Sequence, residues 1–243
     1  MSKVRRFVRK AATPLLGDPA TPLSTALQAL KGLDFAPSTV VDVGANKGQW
    51  TRSCRRFFPE ARYVLFEPQE ALKPHFSDLL ATGQVELHSI GLGREPGEAA
   101  FTLHERDDSR TFALSAEVAE RRGFEQVTLK VDALDRFLSE NGLPDPEILK
   151  VDAEGWDLEV LDGAARVLET AEVVFVEAAV ANRRIQTDLL SVLKYMDARG
   201  YTLLDLSDLN RPFAHGLLWL VEGMFVRRGG LVDQAVEAHS ALP

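Results

Sequence analysis

The residues best suited to chemistry in this 243-residue chain sit where apolar runs end in glycine or acid. Val40-Val41-Asp42-Val43-Gly44-Ala45-Asn46-Lys47-Gly48 reads as a strand entering a tight turn, with a helix starting at once. Glycines at 44 and 48 let the backbone approach a ligand, and a helix start offers free N–H groups and partial positive charge. An anionic group belongs there, and Asp42 at the strand end would suit an ammonium. About 20 residues beyond the turn, the next strand ends in Phe66-Glu67-Pro68, where doubly wound folds place the carboxylate that grips a ribose diol. Strand, turn, helix and strand-terminal acid together predict a nucleoside cofactor.

The spacing narrows the choice. A dinucleotide fingerprint needs Gly-x-Gly-x-x-Gly, but Asn46 occupies its second glycine and would crowd a pyrophosphate. Gly44-x-x-x-Gly48 fits a smaller ligand that carries an amino acid, S-adenosylmethionine.

A second group lies further along, in Lys150-Val151-Asp152-Ala153-Glu154-Gly155. Two carboxylates at i and i+2 on a strand end can point the same way. They could orient a substrate hydroxyl, take its proton or bind a cation. Alternatively, Asp152 or Glu154 caps the helix that opens at Trp156. Lys150 alternates with Asp152 and reads as an ion-pair partner. Glu177 closes an apolar run and is either a substrate-side acid or a paired loop acid. The polar stretch from His104 to Thr111 contributes His104 as a candidate base or substrate contact; a solvated loop is the competing reading. The five histidines lack the helical spacing of metal ligands and Cys54 is the sole cysteine, so neither a disulfide framework nor a metal site built on His or Cys is expected. A Gly-x-Ser-x-Gly elbow and a Walker lysine are both missing, which excludes the usual hydrolase and NTPase chemistries.

These residues need a scaffold, and the hydrophobic pattern supplies one. Short apolar strands are predicted at Thr39–Val43, Arg62–Glu67, Val85–Ile90, Ile148–Asp152, Val173–Glu177, Tyr201–Leu206 and Leu218–Val226, as expected of strands buried on both faces. Helices are predicted from Pro22 to Gly32, Gln49 to Phe58, Ala71 to Leu80 and Leu134 to Glu140. Two more follow, one striped by Trp156, Val160, Leu161, Ala164, Val167 and Leu168, the other by Leu189, Leu193 and Met196. Ala99–Glu105 and Gln126–Val131 read as extra strands inserted between the third and fourth core strands. The expected fold is α/β: a doubly wound, mostly parallel seven-stranded sheet with a small β insertion and a crevice at the carboxyl ends of its strands. Residues 1–21 form an arm and linker, 22–230 the domain and 231–243 a tail.

Charge sorts the partners. Lys3, Arg5, Arg6, Arg9 and Lys10 stand in the first twelve residues without an acid, which leaves −13 on the rest of a chain whose net charge is −8. So acidic a body is no nucleic-acid binder. The arm alternates cations with Val4, Phe7 and Val8 and suits weak peripheral contact with an anionic membrane surface, or else simple solvation. No signal peptide is read in it, and a cytoplasmic protein is expected.

Taken in order, Asp-Val-Gly-Ala-Asn-Lys-Gly (42–48), Phe-Glu-Pro (66–68), Ile-Gly-Leu-Gly (90–93), Leu-Lys-Val-Asp-Ala-Glu-Gly-Trp-Asp-Leu-Glu-Val-Leu-Asp-Gly-Ala (149–164) and Val-Glu (176–177) resemble the FkbM family of S-adenosylmethionine-dependent methyltransferases. The resemblance covers residues 38–226, and Ala153 departs from the family's usual Val or Ile. It implies a class I methyltransferase (Rossmann-like) fold that binds S-adenosylmethionine through Asp42, Gly44, Ala45, Asn46, Gly48, Glu67, Pro68, Ile90 and Asp152. Asp152 and Glu154 become the catalytic candidates, with Asp152 first in line to take the acceptor's proton. Glu154, Glu177, His104 and Ser109, a serine often found at this place in the family, become substrate candidates. The implied reaction is O-methylation of a small-molecule or glycan acceptor: a sugar, a polysaccharide or a polyketide-type natural product. A nucleotide-dependent oxidoreductase is disfavoured by Asn46. A non-catalytic domain of the same fold is disfavoured by the intact turn and Glu67.

Overall fold

In the computed structural model the described residues are 21–103, 116–121, 123–181 and 187–240. The first helix, α1 (Pro22–Gly32), starts at a capping box in which Thr21 and Ser24 bind each other's backbone amides. Seven strands build the main sheet: β1 (Thr39–Val43), β2 (Arg62–Phe66), β3 (Val85–His88), β7 (Ile148–Val151), β8 (Val173–Ala179), β9 (Tyr201–Asn210) and β10 (Leu220–Arg227). Their order is β3-β2-β1-β7-β8-β10-β9, with only β10 antiparallel to its neighbours. The insertion is a three-stranded sheet of β4 (Gly91–Leu92), β5 (Gly97–Leu103) and β6 (Glu125–Asp132), with β6 between the other two.

Helices cover both faces. On one side α1, α2 (Gln49–Arg55), a 3₁₀ helix (Glu70–Phe76), α3 (Ser77–Leu80) and α9 (Leu231–Ser240) pack on Val40, Tyr63, Leu65, Ile148, Phe175 and Met224. On the other, α5 (Leu134–Glu140), α6 (Asp157–Asp162), α7 (Val167–Thr170) and α8 (Leu189–Ala198) pack on Val41, Phe66, Leu149, Val151, Val176 and Phe225. A further helix, α4 (Ala116–Arg121), belongs to the insertion. Among the described residues no helix is long and apolar enough to cross a membrane.

Several elements depart from the sequence expectation for identifiable reasons. The helix expected over Gln49–Phe58 stops at Arg55, where the amides of Phe57 and Phe58 both turn onto the Cys54 carbonyl ahead of Pro59. Pro74 forces the Ala71–Leu80 segment into a 3₁₀ stretch followed by one α turn. The stripe from Trp156 to Leu168 is two helices, because Gly163 presses on the insertion: a Cβ there would lie 2.0 Å from the Gly93 carbonyl oxygen. The third core strand ends at His88 rather than Ile90, and Gly91–Leu92 leaves to pair with β6. The segment set apart as a tail is helical over Leu231–Ser240 and buries Val232.

Candidate active site

Backbone packing shapes the turn after β1. Gly44 has φ 73°, and a Cβ on it would lie 1.8 Å from the carbonyl oxygen of Asp152, so only glycine lets β1 and β7 end side by side. The amides of Gly44 and Ala45 both donate to the Phe66 carbonyl, at 2.9 and 3.1 Å, fastening the turn to β2. Gly48, at φ 77°, opens α2. Glu67 is buried; its Oε2 accepts from the Asn46 amide at 2.9 Å and its Oε1 from the Gln69 amide at 3.0 Å. Burial raises its pKa, and those amides pull the other way. Ala45 is buried beneath the turn, while Pro68 and Ile90 are half-buried at its rim.

Sheet register assembles the second half. Asp42 pairs with Lys150 across β1 and β7, Val151 with Val176 across β7 and β8, and Glu177 with Glu222 across β8 and β10. With side chains alternating between faces, Asp42, Lys150, Asp152, Glu177 and Glu222 line the carboxyl edge of the α2 face, above Phe175 and Met224. The ammonium suited to Asp42 comes from within the chain. Asp42 is fully buried, accepts from Thr51 Oγ1 at 2.5 Å and meets Lys150 Nζ at 3.2 Å. That Nζ also donates to the Gly44 carbonyl at 2.9 Å and lies 3.4 Å from Asp152 Oδ2. Burial disfavours charge on Lys150, but Asp42, Asp152 and Glu222 outweigh it and hold the ammonium well above its ordinary pKa. Asp152 keeps 32% of its side chain exposed and so opens onto the crevice.

Glu177 and Glu222 lie close enough to feel this ammonium, and Asp157 lies close enough to feel Asp152. Burial, then the charges of Asp152, Glu154 and Asp157, push Glu177 well above the carboxylate range, with Lys150 opposing. Glu222 accepts from Ser207 Oγ at 2.5 Å and from Trp50 Nε1 at 3.4 Å. Burial pushes it up to about 7; Ser207 and Lys150 oppose the shift and Asp152 adds to it. Burial and then Asp152 push Asp157 up to about 7, against the hydrogen bonds of the Ala153 and Gly155 amides. Burial and like charge thus raise the acids of this edge above the ordinary carboxylate range, with Lys150 opposing at Glu177 and Glu222.

Neither Asp152 nor Glu154 caps the following helix. Asp157 takes the amides of Ala153 and Gly155, at 2.8 and 3.2 Å, and frees both acids from that role. Sequence reasoning passed over Asp157 and Glu222. An acid in a first helical turn signals the former, and a lone acid inside an apolar strand signals the latter. His104 and Ser109 lie outside the described residues.

This geometry can be set beside known proteins. Residues 42–203 match the model of the methyltransferase FkbM domain, a span that takes in Asp42, Glu67, Lys150, Asp152 and Glu177 and ends before Glu222. The chain belongs to the FkbM methyltransferase family. Two relatives are each 30% identical to it: Methyltransferase 1 of Beauveria bassiana over 55% of this chain, and the hexuronic acid methyltransferase AglP of Haloferax volcanii over 63%. The alignments cover 62% and 61% of those proteins, so the chain spans about three fifths of their length. The crystal structure of methyltransferase FkbM from Methylobacillus flagellatus shares the fold at a TM-score of 0.52 and 17% identity, covering 76% of this chain and 43% of that one. The sheet is the mostly parallel, Rossmann-like sheet of class I methyltransferases, and S-adenosylmethionine is the cofactor such an FkbM domain uses.

Proposed function

We propose that this methyltransferase transfers its methyl group to oxygen, on a hydroxyl of a sugar, glycan or polyketide-type natural product. The observation that carries this reading is the acid row of Asp152, Glu177 and Glu222 beside the cofactor turn. A hydroxyl is a poor nucleophile, with a pKa like that of water at about 16, and needs an acceptor for its proton. The Haloferax relative, by its name, acts on a hexuronic acid, which favours a sugar among the hydroxyl-bearing acceptors.

The residues present fit the cofactor. The turn from Gly44 to Gly48 leads straight into α2, and each Glu67 oxygen accepts one backbone amide, which leaves lone pairs for a ribose diol. S-adenosylmethionine supplies a methyl already activated on a cationic sulfur, and the protein mainly has to place the acceptor oxygen in line. Asp152, open to the crevice and 3.4 Å from the Lys150 ammonium, accepts the hydrogen bond of the acceptor hydroxyl. As the oxygen gains the methyl, its proton passes to Asp152. Glu154 completes the polar wall on the acceptor side.

Calorimetry with S-adenosylhomocysteine and methyl transfer to p-nitrophenyl β-D-glucuronide, read by mass spectrometry, test the reading. A tight stoichiometric complex and an alkali-stable ether methyl are expected. Loss of the methyl in alkali would mark an ester and overturn O-methylation of a hydroxyl. Failure to bind S-adenosylhomocysteine would overturn the site.

A further inference from the structure

Glu154 has φ 53°, in the left-handed region that a residue with a Cβ seldom adopts, and Gly155 follows at φ 96°. Such a conformation costs free energy and persists only where surrounding groups enforce it. Here two buried groups do so from opposite sides. Asp157, 2% exposed, accepts the amide before Glu154 and the amide after it, those of Ala153 and Gly155, at 2.8 and 3.2 Å. Thr187, 3% exposed, donates through Oγ1 to the Gly155 carbonyl at 3.1 Å. Thr187 is itself fixed to the end of β8, since its carbonyl accepts the Ala179 amide at 2.9 Å, two residues beyond Glu177. A turn that only had to join β7 to α6 would relax with glycine at 154. The chain keeps a glutamate there, and the charge of that glutamate is felt at Glu177.

We infer that Asp157 and Thr187 are positioning residues that clamp the strained 153–155 turn so that the Glu154 carboxylate faces the acceptor hydroxyl beside Asp152 and Glu177. The inference rests on the O-methyltransferase reading for the acceptor and on the turn geometry alone for the clamp. Among the described residues, the charged groups acting on Asp157 or acted on by it are Asp152 at the end of β7 and Glu177 on β8, both acids.

Three variants test it: Glu154→Gly, Thr187→Val and the double substitution. Glu154→Gly relieves the backbone strain and removes the carboxylate, so Tm should rise by about 2–4 °C. With p-nitrophenyl β-D-glucuronide as acceptor, kcat should fall about 10²-fold. Thr187→Val keeps the shape and loses one donor. It should lower kcat about 10-fold through misplacement of Glu154, with KM for S-adenosylmethionine and affinity for S-adenosylhomocysteine unchanged. The double variant should turn over no more slowly than Glu154→Gly, because the clamp acts only through Glu154. The Tm gain from glycine should also shrink once Thr187→Val lets the turn relax. Additive losses of kcat, weakened S-adenosylhomocysteine binding in Thr187→Val, or a full Tm gain in both backgrounds would each overturn the clamp. If wild type binds S-adenosylhomocysteine but leaves the glucuronide untouched, the sugar reading fails. The clamp is then decided by the two Tm gains, a smaller one in the Thr187→Val background supporting it and an equal one overturning it.

Discussion

The two halves of the crevice are built by different means. The cofactor half is local: one turn after β1 and one acid after β2, fixed by backbone contacts such as the paired amides on the Phe66 carbonyl and the Gly44 approach to Asp152. The acceptor half is assembled by register, from side chains on β7, β8 and β10 and from the 153–155 turn. Its acids are raised by burial and by one another's charge, whereas Glu67 is raised by burial and opposed by the amides it accepts. Backbone recognition is rigid and tolerates little change. A cluster of mutually repelling carboxyls costs stability and makes its members responsive to charge, which suits the proton transfer proposed for that side.

Substitutions in the two halves should therefore fail differently. The largest effect is expected at Asp152. Asp152→Asn keeps the size and most of the hydrogen bonding but removes the charge, and single-turnover transfer at saturating cofactor should slow about 10²–10⁴-fold. S-adenosylhomocysteine affinity should hardly move; a large loss of affinity would erase the distinction between the halves. Glu67→Ala is the mirror experiment. It should cost about 1.5–3 kcal/mol of cofactor affinity for each lost charge-assisted bond, seen in calorimetry. Equal affinity in wild type and variant would remove Glu67 from the cofactor half.

A third experiment uses pH. The pKa of Glu222 is raised from its ordinary 4.5 to about 7 in the folded chain. Between those values the folded state binds a proton that the unfolded chain has released, so the Glu222 contribution to stability falls as pH rises. Glu222→Gln, whose amide oxygen still accepts from Ser207, should gain in Tm over wild type as pH climbs from about 4.5 to 7 and level off above. The ceiling on that gain is about 3 kcal/mol. A pH-independent difference would show that Glu222 is not a proton store. The smallest effect concerns the arm. Deleting residues 1–12 should leave Tm and S-adenosylhomocysteine affinity unchanged and reduce co-sedimentation with anionic vesicles. A drop of several degrees in Tm would show that the arm packs on the domain.

How much could be read in advance follows the same divide. The Gly44–Gly48 turn, Glu67 and the strands that carry them obey rules of spacing over a few residues, and Pro22–Gly32 carries its own cap and periodicity. Glu222 and Ser207 approach the site only through strand order and the antiparallel turn of β10, which no local pattern encodes. Asp157 was hidden because its neighbours Asp152 and Glu154 offered equally good caps; the left-handed turn, visible only in three dimensions, decided between them. The split of the 156–168 stripe was hidden for a related reason, since its cause is the backbone of Gly93, far off in sequence.

That meeting of Gly93 and Gly163 also bears on how the protein can vary. The insertion leaves the core at Gly93 and returns at Asp132, and those two residues are joined directly, Gly93 N–H to Asp132 carbonyl at 2.9 Å. Gly163 seals the junction from the helical side and gives its own carbonyl to the Asp135 amide at 3.0 Å. A segment whose two ends already touch can be lengthened, shortened or exchanged at the small entropic cost of resizing a closed loop, about 0.6 kcal/mol per doubling. The core on either side need not register the change. Grafts bounded by residues 94 and 131 are thus the inexpensive way to vary this part of the molecule, and Gly163 is a position outside the graft that must stay as it is.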